Sequence, residues 1–329
     1  MRLLCNALYT RTHIILRLAA MEFCFLASGE TLTVLEDELQ GQTAKAVKKA
    51  LAAKVGISRF KQRFFGEDDL HEIQDDDVLT PTPLKIQVVV LDFWAPDDEE
   101  TQKMISASQD NDLVALEQLL QQPRNPNDAK TDGKTPLFHA AEQGHVQLVE
   151  LLLEAGAKTD EPEIARGRTP MFRAAQNGHI DVVRFLAENG ASKDQTNNNG
   201  RTPLWVAAQN GHLDVVRILV NVGATKDQPD NNSRTPLWVA ARNGHLDIVR
   251  FLVDVGAAKD QAANAGATPL FTAAQNGKLD VVRILVNVGA TKDQPDKSGA
   301  TPLSIAAENG HLDVARFLSK ACGANGASP

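Results

Sequence analysis

The stretch Thr202–Ala224 reads TPLWVAAQNGHLDVVRILVNVGA, and most of the chain is built from copies of it. Near copies begin at five further positions: Thr135, Thr169, Thr235, Thr268 and Thr301. The intervals between successive starts are 34, 33, 33, 33 and 33 residues. A fixed period of this length fits one supersecondary unit, which needs its neighbours to bury its apolar face. The sequence therefore predicts a stack of repeats.

Each unit contains the signals for two helices. The Thr202 hydroxyl can cap a helix, and Pro203 occupies the first helical position, where a missing N–H is harmless. Gly211 can adopt the left-handed conformation that ends this helix. A second helix follows, with apolar residues at helical spacing up to Gly223. The residues before each Thr-Pro are rich in Asp, Asn and Gly, which is typical of a turn or hairpin.

The pattern TPLxxAAxxGHLDVVxxLxxxGA resembles the ankyrin repeat, and six copies are present. A helix predicted over Lys103–Gln121 has leucines spaced 33 residues ahead of their counterparts in the first copy, so it extends the array backward as a cap. The resemblance implies a mainly α solenoid over residues 102–323, with six repeats and an N-terminal cap, followed by a tail at 324–329. Ankyrin repeats imply protein binding through a concave face and the hairpin tips.

Residues 21–95 show a different pattern, in the order strand, strand, helix, strand, strand. Thr43 can cap the helix, which ends near Gly56, and the run Gln62-Arg63-Phe64-Phe65 follows. This order resembles ubiquitin and the β-grasp fold. The chain is thus expected to be multidomain, with a small α+β domain ahead of the solenoid. The Gly-Gly tail of conjugated members is absent, so conjugation is not expected.

Phe65 falls where ubiquitin presents an apolar patch to its receptors. The resemblance therefore implies a second docking site, for a component of the ubiquitin pathway. The alternative is an ordinary sheet residue in a structural module.

Two short segments flank this domain. Residues 1–20 contain three arginines and no acid, and their apolar runs are short. We expect a disordered extension, an upstream start ahead of Met21, or an organelle-targeting peptide. Residues 96–101 read PDDEET, contain nothing apolar to bury, and are predicted to be an acidic linker.

Composition excludes several classes of function. The net charge is −8, which argues against coating a phosphate backbone, so no nucleic-acid partner is expected. No apolar run is long enough to span a membrane. The three cysteines have no paired spacing, which favours a reducing, cytoplasmic compartment. No phosphate loop, nucleophile elbow or metal-binding His pair is present, so we expect no cofactor, no metal and no enzyme activity, and we expect a monomer.

Histidines recur at the start of each predicted second helix except one: His145, His179, His212, His245 and His311. Repetition at the repeat period argues against catalysis, which needs unlike groups converging on one site. We interpret these histidines as structural, and Lys278 replaces imidazole in the fifth copy.

Surface differences between copies give the candidate binding residues. Four cations directly precede Thr-Pro and form a basic row: Lys134, Arg168, Arg201 and Arg234. In the last two copies Ala267 and Ala300 occupy this position, so the row ends there. The row predicts a partner with an acidic patch. We also expect that its charges are dispensable for folding. Further candidates lie on the first helices: His139, Arg173, Val206, Val239, Gln176, Gln209 and Arg242. The alternative is solvated charge without a partner.

An aromatic side chain occupies the same first-helix position in five copies: Phe138, Phe172, Trp205, Trp238 and Phe271. Packing between repeats is the favoured interpretation, and anchoring of a ligand is the alternative. The sequence as a whole predicts a non-catalytic protein-binding scaffold. The alternative function is an adaptor in the ubiquitin or proteasome pathway, with the repeats holding a client.

Overall fold

The computed structural model describes residues 13–17, 21–25, 31–34, 44–55, 62–66, 72–75, 86–90, 97–122 and 124–323. The chain divides into two compact units. The first comprises Met1–Asp128 with Glu150–Ala157, and the second comprises Ala129–Val149 with Lys158–Pro329.

The first unit begins with a six-stranded sheet in the order β3-β2-β1-β6-β4-β5. The strands are β1 His13–Arg17, β2 Met21–Phe25, β3 Thr31–Val34, β4 Gln62–Gly66, β5 Glu72–Ile73 and β6 Ile86–Val90. Helix α1, Ala44–Val55, connects β3 to β4. Every pairing between these described strands is antiparallel.

Along the chain, β2, β3, α1, β4 and β6 follow the expected order of elements, but two further strands are present and the β-grasp domain is not shown. Strand β1 lies in the segment for which the sequence predicts an extension or a targeting peptide. It is inserted between β2 and β6, with Ile15 opposite Cys24 on one side and Gln87 on the other. Its run Ile14–Leu16 is aliphatic and largely β-branched, which favours strand pairing.

Several side chains in the first part of helix α1 are buried. Ala44 and Val47 are buried, and the buried ammonium of Lys48 lies 2.7 Å from Asp75 Oδ1. A buried ammonium needs such a partner, because its desolvation is otherwise unfavourable.

The segment predicted as an acidic linker, residues 96–101, is helical from Asp98 onward. Asp97 caps helix α2, Asp98–Asp110, by accepting a hydrogen bond from the N–H of Glu99 at 2.9 Å. Its three acidic residues Asp98–Glu100 form the first turn, where the positive end of the helix dipole stabilises them. Their charge therefore starts a helix.

The predicted helix Lys103–Gln121 is two helices. Helix α2 ends at Asn111, which adopts a left-handed φ of 60°, and α3 runs over Leu113–Gln121 after the cap Asp112. Asparagine tolerates this conformation better than most residues, so it substitutes for the glycine of the later repeats. The cap therefore has the same two-helix plan as the repeats.

We number the repeats 1 to 6 by their capping threonines, from Thr135 to Thr301. Their first helices are α4 Pro136–Gln143, α6 Pro170–Asn177, α8 Pro203–Asn210, α10 Pro236–Asn243, α12 Pro269–Gln275 and α14 Pro302–Glu308. Their second helices are α5 Val146–Glu154, α7 Ile180–Glu188, α9 Leu213–Asn221, α11 Leu246–Asp254, α13 Leu279–Asn287 and α15 Leu312–Gly323.

The predicted capping chemistry is confirmed in repeat 3. The Thr202 hydroxyl accepts a hydrogen bond from the N–H of Trp205 at 3.1 Å, and Gly211 ends α8 with a φ of 83°. Leu204 and Leu219 are fully buried. Each such side chain stabilises the fold by roughly 1.5 to 3 kcal/mol relative to exposure.

The hairpins between repeats are joined to one another by backbone hydrogen bonds. The N–H of Asn198 donates to the carbonyl of Arg166 in the preceding hairpin at 2.9 Å. The N–H of Asn231 in the next hairpin donates to the carbonyl of Asn199 at 3.0 Å. Equivalent bonds recur from repeat to repeat, so the hairpins form a continuous ladder in the second unit.

Repeat 6 has no repeat after it among the described residues. Ala307 is exposed there, whereas its equivalents Ala208 and Ala241 are fully buried. Leu312 is 65% exposed. The polar residues Ser319 and Lys320, which the sequence assigns to a cap, lie on the exposed surface of α15.

Candidate protein-binding surface

The basic row lies at the base of successive hairpins, and most of its charge is neutralised there. Lys134 Nζ lies 3.0 Å from Asp132 Oδ2. Arg168 Nε donates to Glu163 Oε1 at 2.9 Å, and the Glu163 side chain is only 1% exposed. Both cations therefore belong to the structure of their own hairpins.

The buried carboxyl of Glu163 accepts several hydrogen bonds within its hairpin. It also accepts a hydrogen bond from the main-chain N–H of Arg166 at 2.9 Å. Burial by itself raises the pKa of Glu163, but the hydrogen bond and charge of Arg168 outweigh burial and hold that pKa below its usual value. Glu163 is therefore ionised at neutral pH.

Arg234 is bound to a carboxylate in the same way. Its Nε and Nη2 donate to Asp230 Oδ2 at 2.9 and 2.6 Å, and the Asp230 side chain is fully buried. Removing one partner of such a pair leaves an uncompensated buried charge. The expectation that the row is dispensable for folding is therefore not supported for Arg168 or Arg234.

The acidic partners of the row are the functional residues that sequence reasoning missed. The signal was present: Asp230 precedes Arg234 by four residues, and in repeat 5 both positions are alanine, Ala263 and Ala267. In repeat 5 the cation and its acid are thus replaced together, whereas in repeat 6 Ala300 replaces the cation and Asp296 remains.

Three first-helix candidates are buried. His139 is 8% exposed, Val206 is 2% and Val239 is 3%. Successive first helices pack directly against one another, so a side chain on their shared side is covered. The structure thus corrects the assignment of these three residues as partner contacts.

Burial also sets the charge of His139. Desolvation, followed by the charge of Lys134, lowers the pKa of His139 to about 4. The imidazole is therefore neutral at pH 7. Its Nδ1 lies 3.7 Å from Glu142 Oε2, but this contact becomes an ion pair only in acid.

The remaining first-helix candidates reach the surface. Gln176 and Gln209 are partly exposed, and Arg242 is exposed. Arg173 is half-buried, forms an ion pair with Glu142, and donates from Nη1 to Gln176 Oε1 at 2.6 Å. Together with the hairpins, these side chains form the variable surface of the first helices.

The aromatic ladder is confirmed as packing between repeats, since all five rings are buried. The two tryptophans add a hydrogen bond that phenylalanine cannot make. Trp205 Nε1 donates to the carbonyl of Arg234 at 2.8 Å, and Trp238 Nε1 donates to the carbonyl of Ala267 at 2.9 Å. Each tryptophan therefore links its first helix to the backbone of the next repeat.

The recurring histidines have a structural role in four repeats. In each, Nε2 lies about 3 Å from a carbonyl oxygen of the preceding repeat: His179 and Glu142 at 2.9 Å, His212 and Gln176 at 3.0 Å, His245 and Gln209 at 2.9 Å, His311 and Gln275 at 3.1 Å. A carbonyl oxygen can only accept, so Nε2 carries the proton. In these four repeats the histidine therefore joins the start of the second helix to the first helix of the preceding repeat.

Within the part of the chain that the structure describes, no group of three or more His, Cys, Asp and Glu side chains could hold a metal ion. None of the helices among these residues combines the length and the apolar character that crossing a bilayer requires.

Phe65 lies in β4, where its backbone is in register with Glu72 and Gln87. Its side chain lies outside the described residues, so its predicted role as a second docking site stays a prediction.

The described helix pairs, capped by Thr-Pro and Gly and joined by hairpins, define a protein built from helical repeats. A family model described as ankyrin repeats matches the chain in three copies, over residues 103–197, 189–263 and 255–328. These matches cover more than half of the chain, which therefore belongs to the ankyrin repeat family. Ankyrin repeats are generally protein-interaction modules.

One curated relative is the putative ankyrin repeat protein FPV115 of fowlpox virus (strain NVSL). It is 42% identical to this chain over 65 residues, which amount to 20% of this chain and 12% of the viral protein. The chain thus spans only a small part of that relative.

Proposed function

We propose that the chain is a non-catalytic scaffold that binds a protein partner through the hairpins and the exposed residues of the first helices. One observation carries this proposal: the hairpins of successive repeats form a hydrogen-bonded ladder, yet the side chains that they display differ from repeat to repeat. A fixed backbone with variable side chains is suited to recognising an extended partner surface.

The two helices of each repeat provide a matched test. A partner is first recovered by affinity capture with the full chain and identified by mass spectrometry. Its affinity is then measured for the double variant Gln176→Ala/Gln209→Ala, on first helices, and for Arg184→Ala/Arg217→Ala, on second helices. We expect the first variant to bind at least about tenfold more weakly, which corresponds to roughly 1.4 kcal/mol, and the second to bind normally. The opposite order of affinities would place the partner on the second helices.

The partner is proposed to present acidic groups, because Arg242 in the first helix of repeat 4 is exposed and Arg201, just before the first helix of repeat 3, is partly exposed. We propose that the scaffold is monomeric and cytoplasmic. Light scattering on the purified chain tests the first point, and a concentration-independent mass near 35.6 kDa is expected. A doubled mass would refute it.

A second candidate function is an adaptor in the ubiquitin pathway, with residues 21–95 as a β-grasp domain. The order of β2, β3, α1, β4 and β6 along the chain and the hairpin pairing of β2 with β3 support it, but β1 separates β2 from β6, which a β-grasp sheet pairs directly. The test is binding of the full chain to purified proteasomes, with Phe65→Ala as the site variant. Recovery of proteasomes by the native chain and loss with the variant is expected. Failure of the native chain to bind would remove this candidate.

A further inference from the structure

The guanidinium of Arg201 is held in place but lacks an acid of its own. Its Cζ lies 4.2 Å from the centroid of the Trp205 ring, a distance at which cation–π attraction is effective. Its buried Nε has no hydrogen-bond partner among the described residues. The carboxylate oxygen Oδ2 of Asp230 is 3.9 Å from that nitrogen, too far for a hydrogen bond.

The other two arginines of the row show what is missing. Arg168 donates to Glu163, and Arg234 donates to Asp230. The hairpin of Arg201 carries Asn197 at this position, and its Oδ1 accepts main-chain N–H groups, including that of Arg201, at 3.0 Å. The sequence thus replaces the hairpin acid by an amide only where the arginine is stacked on Trp205.

Positive charge exceeds negative charge around Arg201. Arg234 lies 5.7 Å from the rings of both Trp205 and Trp238, and the exposed Arg242 lies 5.9 Å from Trp238. Asp230 hydrogen-bonds Arg234 and lies 3.9 Å from Arg201, so these two guanidinium groups share one carboxylate, and no ion pair of Arg242 is found among the described residues. Burial lowers the pKa of Arg201, and the charge of Arg234 lowers it further while Asp230 opposes the change.

We propose that Arg201 and Arg242 anchor an acidic peptide segment of the protein partner, and that a partner carboxylate binds the exposed part of the Arg201 guanidinium and supplies the acid that its own hairpin lacks. A guanidinium binds a carboxylate through two parallel hydrogen bonds, and a ring that fixes its plane reduces the conformational freedom lost on binding. This inference rests on the proposed function, since it names the partner chemistry for the same surface.

The geometry favours an acidic peptide over single-stranded nucleic acid. Trp205 and Trp238 are only 1% and 8% exposed. Bases bind single-strand proteins by stacking on open aromatic faces, and these rings are covered. A carboxylate needs only the edge of the guanidinium, and the Arg201 side chain is 28% exposed.

The test uses the full chain and a fluorescein-labelled hexaglutamate peptide, with binding followed by fluorescence anisotropy. Arg201→Gln is the site variant. Arg217→Gln is the matched control, because it removes the same charge from the same repeat and its guanidinium also lies over an aromatic ring, 5.2 Å from Phe251. Arg234 is left unchanged, since it neutralises the buried Asp230. Circular dichroism verifies that each variant is folded.

We expect Arg201→Gln to bind hexaglutamate about tenfold to a hundredfold more weakly than the native chain, as for the loss of a charged hydrogen-bonded pair. Arg217→Gln should change binding less than about twofold, and Arg201→Lys should lie between, because lysine keeps the charge without the planar fork. Arg242→Gln is a second, exposed variant that should also weaken binding. Hexaglutamine should not bind.

Three results would overturn the inference: equal binding by Arg201→Gln and the native chain, an equal loss in Arg217→Gln, or no binding of hexaglutamate by the native chain. Tighter binding of a single-stranded oligonucleotide that Arg201→Gln abolishes would assign the surface to nucleic acid instead. Failure here is distinguishable from failure of the proposed function. If hexaglutamate does not bind while Gln176→Ala/Gln209→Ala still weakens the captured partner, the surface stands and only its acidic ligand is refuted.

Discussion

The imidazole of His212 packs on Gly178 of the preceding repeat, and a Cβ added to that glycine would lie only 2.8 Å from Nδ1 of the ring. The same ring holds the carbonyl of Gln176 at 3.0 Å through Nε2. Gly178 therefore serves two purposes. Its φ of 81° ends the first helix, and its missing side chain makes room for the histidine.

Replacing Gly178 by alanine separates these two purposes. Gly190 in the same repeat has a similar φ of 84° but nothing within 4 Å of an added Cβ. Gly190→Ala should therefore lower the free energy of unfolding by about 1 to 2 kcal/mol, for the left-handed backbone alone. Gly178→Ala should cost about 1 to 3 kcal/mol more, because the His212 ring must move. Urea denaturation of both variants measures the difference in the free energy of unfolding. Equal decreases would show that the contact between Gly178 and His212 does not affect stability.

Lys278 interrupts the histidine ladder between repeats 4 and 5. Its side chain lies against Gly244, but among the described residues it makes no hydrogen bond to the carbonyl of Arg242. Lys278→His should restore that bond and raise the free energy of unfolding by about 0.5 to 1.5 kcal/mol. The converse variant, His245→Lys, should lose a similar amount. Thermal unfolding of the two proteins is the measurement, and shifts of the same sign would contradict the role given to the imidazole.

Thr272 is a buried hydroxyl without a hydrogen-bond partner among the described residues. Its equivalents in repeats 3 and 4 are Val206 and Val239, which fill the same space without a polar group. Thr272→Val should therefore stabilise the protein by about 1 to 3 kcal/mol, since an unsatisfied buried group is removed. Val239→Thr is the matched reverse change and should destabilise it. A lower unfolding midpoint for Thr272→Val would show that the hydroxyl has a partner.

His139 should make the protein less stable in mild acid. Its folded pKa of about 4 lies below the unfolded value of about 6.5, so the unfolded chain binds the proton more readily between these values. Its contribution to stability is fully present above pH 6.5 and is lost as the pH falls toward 4, by on the order of 3 kcal/mol.

The His139 ring protons in an NMR titration should report this directly, with a midpoint near 4. His139→Gln should flatten the stability profile over the same range. A midpoint near 6.5 would mean that the ring is solvated.

The parts of this fold that sequence reveals are those set by local backbone chemistry. Thr202 and Gly211 indicate the two ends of α8 in the sequence. A threonine hydroxyl can accept a hydrogen bond from a free N–H at the start of a helix, and glycine readily adopts the left-handed conformation that ends one. Asn111 gave a weaker signal than glycine, so the break between α2 and α3 was missed. The lack of apolar residues in the PDDEET segment predicts a linker, but its acidic residues suit the first turn of a helix.

The binding surface was harder to predict, because it depends on contacts between residues distant in sequence. The sequence predicts Val206 at the surface, but the adjacent first helices cover it. The sequence predicts that Arg168 and Arg234 are available to a partner, but each neutralises a buried acid of its own hairpin. Among the arginines of the basic row, Arg201 has no acidic residue in its own hairpin, because Asn197 occupies that position. It therefore agrees with the prediction of a cation available to a partner.

Hydrogen–deuterium exchange with and without the captured partner tests the central claim most directly. The main-chain amides of the exposed hairpin residues Asn199 and Asn232 are reporters for the proposed surface. The main-chain amides at the start of α9 and α11 are reporters for the second helices, which lie outside the proposed surface. The account predicts that the partner slows exchange in the hairpins and leaves the second helices unchanged. Protection confined to α9 and α11, with hairpins exchanging as in the free chain, would contradict it.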